Sequence, residues 1–209
     1  MTRTTAGALT VLAVVVALTG CSSPPGASPS VPAPTPTATA RPTPAVEVPI
    51  AAATPMPARR SAPPVRVVAA SIGADVPVIP VGVESGGFME LPVDPAVAGW
   101  YRFGADPSSD DGNTVISAHV DAPDYPIGPF SRLREVRVGE VIEVTDAAAA
   151  VHRYAAESVT YYPKADLPVA GLFAREGTRN LVLITCGGRF DPGTGRYDDN
   201  VVVIATPTS

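Results

Sequence analysis

Cysteine, histidine and tryptophan are scarce in this chain of 209 residues, which holds two cysteines, two histidines and one tryptophan. So few soft or imidazole ligands leave no CxxC pair, no HExxH helix and no Asp-rich calcium loop, and neither a metal site nor a cofactor is expected. Basic residues are outnumbered by acidic ones, 15 to 20, for a formal charge of −5. No Lys/Arg stripe with interleaved aromatics is present, which argues against nucleic acid as a partner. No internal repeat is visible. The main apolar run, about Ala6 to Leu18, is too short to cross ~30 Å of hydrocarbon as a helix.

What is there begins with that run. An early Arg3, a stretch of Ala, Leu and Val, and then Leu18-Thr19-Gly20-Cys21 resemble a bacterial lipoprotein signal. The resemblance implies cleavage after residue 20 and a diacylglycerol on the sulfur of Cys21, which holds the protein to the outer face of the cytoplasmic membrane. From 21 to 64 the composition shifts to Pro, Ala, Thr and Ser, with Pro34-Thr35-Pro36 and Arg41-Pro42-Thr43-Pro44. Such a segment builds no core and favours solvated polyproline II. At ~3.1 Å per residue it forms a stalk of up to roughly 130 Å.

Residues 65–209 are left as one domain of ordinary size. Its apolar segments are short, β-branched and punctuated by Gly, Pro and Asp: Val65 to Val68, Val76 to Val83, Thr114 to Ser117, Val141 to Val144, Val151 to Tyr162, Leu181 to Thr185 and Val201 to Ala205. They read as strands of an all-β architecture. Leu181 to Ile184 and Val201 to Ile204 are apolar throughout and are expected to be central. Asp94 to Ala98 and Pro129 to Arg134 are expected to form one or two helical turns each. The acidic stretch at Asp106, Asp110 and Asp111 reads as a solvated loop.

Cys186 is the domain's lone thiol, at the end of the run Asn180 to Gly188. In an exported chain a thiol with no disulfide partner is inert packing or a nucleophile. A nucleophilic cysteine needs a base. His119 follows the segment Asn113 to Ser117 and so stands at a strand end, as Cys186 does. His152 lies in the alternating segment Val151-His152-Arg153-Tyr154 and is expected to be structural. A cation for the acyl oxyanion is offered by Arg189 or Arg196, in the Gly- and Pro-marked loop Gly187 to Tyr197.

Leu183-Ile184-Thr185-Cys186 and Ser117-Ala118-His119-Val120-Asp121 resemble the cysteine and histidine segments of the sortases. Val78 to Val83, Gly99 to Gly104, Tyr161 to Lys164 and Asp198 to Val203 are similar to the class F sortases of actinobacteria, so the resemblance covers nearly all of Val65 to Ala205. Val182 stands where the signature has its first Thr, and Ala118 where the shorter histidine motif has Gly; neither position carries the reaction. The resemblance implies a closed seven- to eight-stranded β-barrel with one or two short helices. It implies a transpeptidase in which Cys186 attacks a Leu-Pro-x-Thr-Gly-like sorting signal of a secreted protein and forms a thioacyl enzyme. An amine, on a peptidoglycan precursor or another protein, then resolves it. His119 is the implied acid and base. Aligning on Thr194-Gly195 puts Asn200 where well-known sortases carry an arginine. Arg196, four residues earlier on the same side of an extended strand, is expected to supply the guanidinium, with Arg189 as competitor. The alternatives are a Cys/His peptidase or peptidoglycan hydrolase, and a lipoprotein binding module in which Cys186 is filler. An L,D-transpeptidase is disfavoured, because its Ser-His-Gly-Cys type of signature is missing around Cys186.

Overall fold

The computed structural model describes residues 61–208, so the segment that resembles an export signal, the expected lipid-attachment residue Cys21 and nearly all of the proline-rich segment lie outside the described residues. Eight strands follow in chain order: β1 (Pro64–Ala69), β2 (Ala74–Val81), β3 (Ala98–Tyr101), β4 (Asn113–Ser117), β5 (Val141–Asp146), β6 (Val151–Pro163), β7 (Asn180–Asp191) and β8 (Arg196–Pro207). They close into a barrel in the order β1-β2-β3-β4-β7-β8-β6-β5, with β1 pairing back onto β5. Only β2 with β3 and β4 with β7 run parallel; the other pairs are antiparallel. One turn of helix, α1 (Val169–Leu172), and three short 3-10 segments complete the domain.

Alternation along the strands explains both faces of the sheet. Leu181, Leu183, Val201 and Val203 turn inward and join Val67, Val76, Trp100, Ile116, Ile142 and Tyr154 in the barrel interior. The intervening residues Val182, Ile184 and Val202 turn outward and bury themselves with Val115 and Leu172 in a second cluster, packed by Tyr101, Tyr162 and Phe173. Strands β4, β7 and β8 are therefore apolar on both sides, which is why their sequences run without polar alternation. Each such side chain withdrawn from water contributes about 1.5–3 kcal/mol. Phe130 and Leu133, from the 3-10 segment Pro129–Glu135, are fully buried and plug one end of the barrel.

Three sequence expectations change. Asp94 to Ala98 forms no helix: Asp94 caps a single turn through Ala96 N (2.8 Å) and Val97 N (3.0 Å), and the chain then enters β3 beside β2. The segment Gly187 to Tyr197 is mostly strand, because β7 and β8 stay paired out to Asp191 and Arg196. Asp106 is buried rather than solvated, and its carboxylate accepts hydrogen bonds from the backbone N–H (3.0 Å) and hydroxyl (2.8 Å) of Ser108.

Candidate active site

Cys186 continues the outward-facing series Val182 and Ile184 on β7, one pair beyond the buried apolar cluster. It is partly exposed and is the free cysteine among the described residues. Across the ladder it stands opposite Asn200 of β8, and Asn200 in turn stands opposite Tyr162 of β6. On the other flank β4 runs parallel to β7, with Ser117 level with Ile184.

Two buried hydroxyls fix the place where β4 ends. Ser117 Oγ donates to the Ile184 carbonyl at 2.9 Å, and Thr185 Oγ1 donates to the Ala118 carbonyl at 2.8 Å. The Ala118 N–H also donates to Ile184 O at 3.2 Å. Cys186 and His119 each follow directly on a residue of this tie, Thr185 and Ala118, although those two lie 67 residues apart in the chain.

His119 is half-buried, and burial pulls its pKa below the ordinary 6.5, with the Asp121 carboxylate working in the opposite direction. The imidazole is neutral at pH 7 and free to accept a proton. The loop that carries it is clamped at its far side. Tyr197 of β8 donates its hydroxyl to Asp121 Oδ2 at 2.6 Å, and that bond, with some burial, pushes the phenol up to about 12. The Asp121–Tyr197 bridge links the segment carrying His119 to β8, the strand that pairs with β7 at Cys186. Nothing in the sequence alone pairs these two residues; only the extension of β8 beyond Asn200 brings them to each other.

The family model for the sortase domain matches residues 67–208. The chain belongs to the sortase family. No curated protein matches it. Among solved structures it is similar to sortase C2 of the Group B Streptococcus pilus island 1, at 18% identity and a TM-score of 0.52 over 69% of this chain and 73% of that one. It is similar to sortase A of Corynebacterium diphtheriae, a lid mutant, at 17% identity and 0.54 over 73% of each chain. Sortase C-1 of Streptococcus pneumoniae gives 21% identity and 0.53 over 69% of this chain and 66% of that one. At such identities the likeness is one of fold, and the fold is the closed sortase barrel.

In this sortase neither arginine stands in the row of Cys186. Arg196 pairs with Asp191 beside the hairpin turn, four residues along β8 from Asn200. At about 3.4 Å per residue that is roughly 13 Å from the Cys186 row. The β7–β8 ladder bulges between Gly187 and Phe190, which leaves Gly188 and Arg189 opposite Asp198. Gly188 has φ 75°, and a Cβ there would meet the Asp199 carboxylate at 2.4 Å, so the bulge requires glycine. Arg189 sits in that bulge with its Nε 3.4 Å from Asp198, both side chains well exposed.

The other assignments separate cleanly. His152 Nε2 donates to the buried Asp146 carboxylate at 2.8 Å, away from the thiol, as a structural histidine would. Trp100 is interior, its indole N–H donating to Ala105 O at 3.0 Å, whereas Tyr101 faces outward against Phe103 and Phe173 at ring separations of 5.7 and 5.1 Å. Tyr101 thus joins the outer cluster beside Ile184 and Val202.

Proposed function

We propose that this sortase is a cysteine transpeptidase of the class F type that cleaves a Leu-Pro-x-Thr-Gly-like sorting signal on Cys186 and passes the acyl group to an amine. What supports the reading is a partly exposed thiol on β7 at the end of the outer apolar cluster, with the half-buried His119 just past the end of the neighbouring strand β4. His119 takes the thiol proton as sulfur attacks the threonyl carbonyl. The Thr–Gly C–N bond then breaks, and the same proton leaves with the glycyl amine. An incoming amine loses its proton to His119 as it attacks the thioester, and the thiol is restored. The half-buried Tyr101, packed over the buried cluster of Val182, Ile184 and Val202, offers apolar surface for the Leu-Pro end of the signal.

Export and anchoring belong to the same proposal. A lipid on Cys21 and the proline-rich stalk hold the barrel at the outer membrane face, where secreted clients and peptidoglycan amines are met. The test is a peptide-library acyl-transfer assay on the soluble domain, with mass spectrometry of the trapped enzyme. The expected result is a thioacyl adduct on Cys186, transfer to an added amine, and loss of both in Cys186→Ala. Activity surviving in Cys186→Ala would refute the mechanism, and hydrolysis alone in the presence of excess amines would make the chain a peptidase. For the anchor, Cys21→Ala is expected to move the protein from the membrane fraction to the medium.

A further inference from the structure

We infer that Asn200 supplies the hydrogen-bond donor that holds the oxyanion of the tetrahedral intermediates through which the thioacyl enzyme forms and is resolved, an inference that rests on the transpeptidase reading above. Attack of sulfur on the threonyl carbonyl leaves a negative charge on an oxygen within bonding distance of the atom joined to Sγ. A donor that stabilises it must lie about 2.7–3.1 Å from that oxygen and must already be in place. A residue next to Cys186 on its own face of the sheet is placed to supply such a group.

The ladder names that residue. Directly opposed residues of an antiparallel pair project to the same face, with Cβ atoms about 4.5–5.5 Å apart. Asn200 is the direct partner of Cys186. Its parity on β8 is that of Val202 and Ile204, both in the outer cluster, just as the parity of Cys186 is that of Val182 and Ile184. The Asn200 amide thus projects beside the thiol, opposite the side from which His119 approaches, with Tyr162 closing its far flank. It is only partly exposed, so water competes weakly for its N–H donors.

The charged competitors are placed worse. Arg196 stands at the turn, opposite Asp191. The Arg189 guanidinium is directed at Asp198, at 3.4 Å on the exposed side of the bulge. The neutral amide of Asn200, in the Cys186 row itself, stabilises the oxyanion by directional hydrogen bonding rather than by net positive charge.

The test compares Asn200→Ala, Asn200→Asp, Arg189→Ala and Arg196→Ala in the acyl-transfer assay, with the rate of Cys186 alkylation by iodoacetamide measured for each. Asn200→Ala is expected to lower kcat by roughly 100-fold, the usual effect of removing one oxyanion donor. KM and the alkylation rate should stay within about twofold. Asn200→Asp keeps the shape, replaces the donor by an anion, and should fall further. Arg196→Ala and Arg189→Ala should remain within about threefold of the parent. The inference is overturned if Asn200→Ala stays within threefold, if an arginine variant takes the large loss instead, or if alkylation falls in parallel, which would make the role of Asn200 structural. A parent chain that forms no thioacyl adduct with any peptide overturns the transpeptidase reading itself, and Asn200 with it.

Discussion

At the scale of single residues, His119 decides how the site responds to pH. Its imidazole is harder to protonate in the folded protein than in the unfolded chain, because burial outweighs the pull of Asp121. An unfolded chain therefore binds the extra proton first as the pH drops. Stability contributed by keeping His119 neutral is fully present above pH 6.5 and is lost as the pH falls through 6.5 toward the lower folded value. His119→Gln should flatten that part of the stability curve, measured as midpoint of urea unfolding against pH, and a slope unchanged by the substitution would refute the assignment. The catalytic consequence has the same sign. A base that must be neutral to take the thiol proton gives kcat/KM an acid limb centred below pH 6.5. Tyr197 adds to this control, since its bond to Asp121 fixes the distance at which that carboxylate opposes the burial of His119.

At the scale of elements, the site depends on how tightly the loop after β4 is folded back. Gly128 N donates to Val120 O at 2.7 Å, closing the segment that carries His119 and Asp121. A Cβ on Gly128 would lie 2.6 Å from both Cβ and O of Pro95 and 2.9 Å from the His119 carbonyl. Its φ of −72° suits any residue, so the need for glycine there is one of space alone. Gly128→Ala should therefore displace the His119 backbone, destabilise the domain by about 1–3 kcal/mol, and lower transfer activity while leaving the thiol reactive. Chemical unfolding together with alkylation kinetics would check both halves. The same level of organisation explains which features were legible in sequence. The β-branched runs of β4, β7 and β8 announced buried strands, and Cys186 and His119 stood out as candidates because each ends such a run. Strand β3 was missed because Ala98–Tyr101 is too short to display a period, and Gly99 fits there only through its approach to Val81, where a Cβ would lie 2.9 Å from both methyls. Arg196 was harder to place. A Gly- and Pro-rich stretch reads as a loop, but here ladder pairing persists through a bulge, so the arginine is carried outward with the strand, four residues from the Cys186 row.

At the scale of the whole molecule, barrel closure is what makes the arrangement rigid. β1 is the strand that completes it, pairing with β2 on one side and β5 on the other, and placing Val67 and Ala69, each 2% exposed, in the common core. Because β1 begins at Pro64, a chain starting at Ser61 keeps all eight strands and is expected to fold and to carry out acyl transfer without the preceding residues. A chain starting at Ala70 loses β1 alone. It leaves β2 and β5 as two long open edges and uncovers the apolar side chains that Val67 and Ala69 protect, a combination that promotes edge-to-edge association. The shorter chain should therefore aggregate, or melt without a cooperative transition, although every residue of the site from His119 to Asn200 is still present. Size-exclusion chromatography and thermal unfolding of the two chains side by side would decide it. If the chain starting at Ala70 remained monomeric and active, the site would owe its geometry to β4, β7 and β8 alone. The expected failure places that geometry in the closed barrel, because the positions of Cys186, Asn200 and His119 are set by a sheet whose register is held from both directions around the circle.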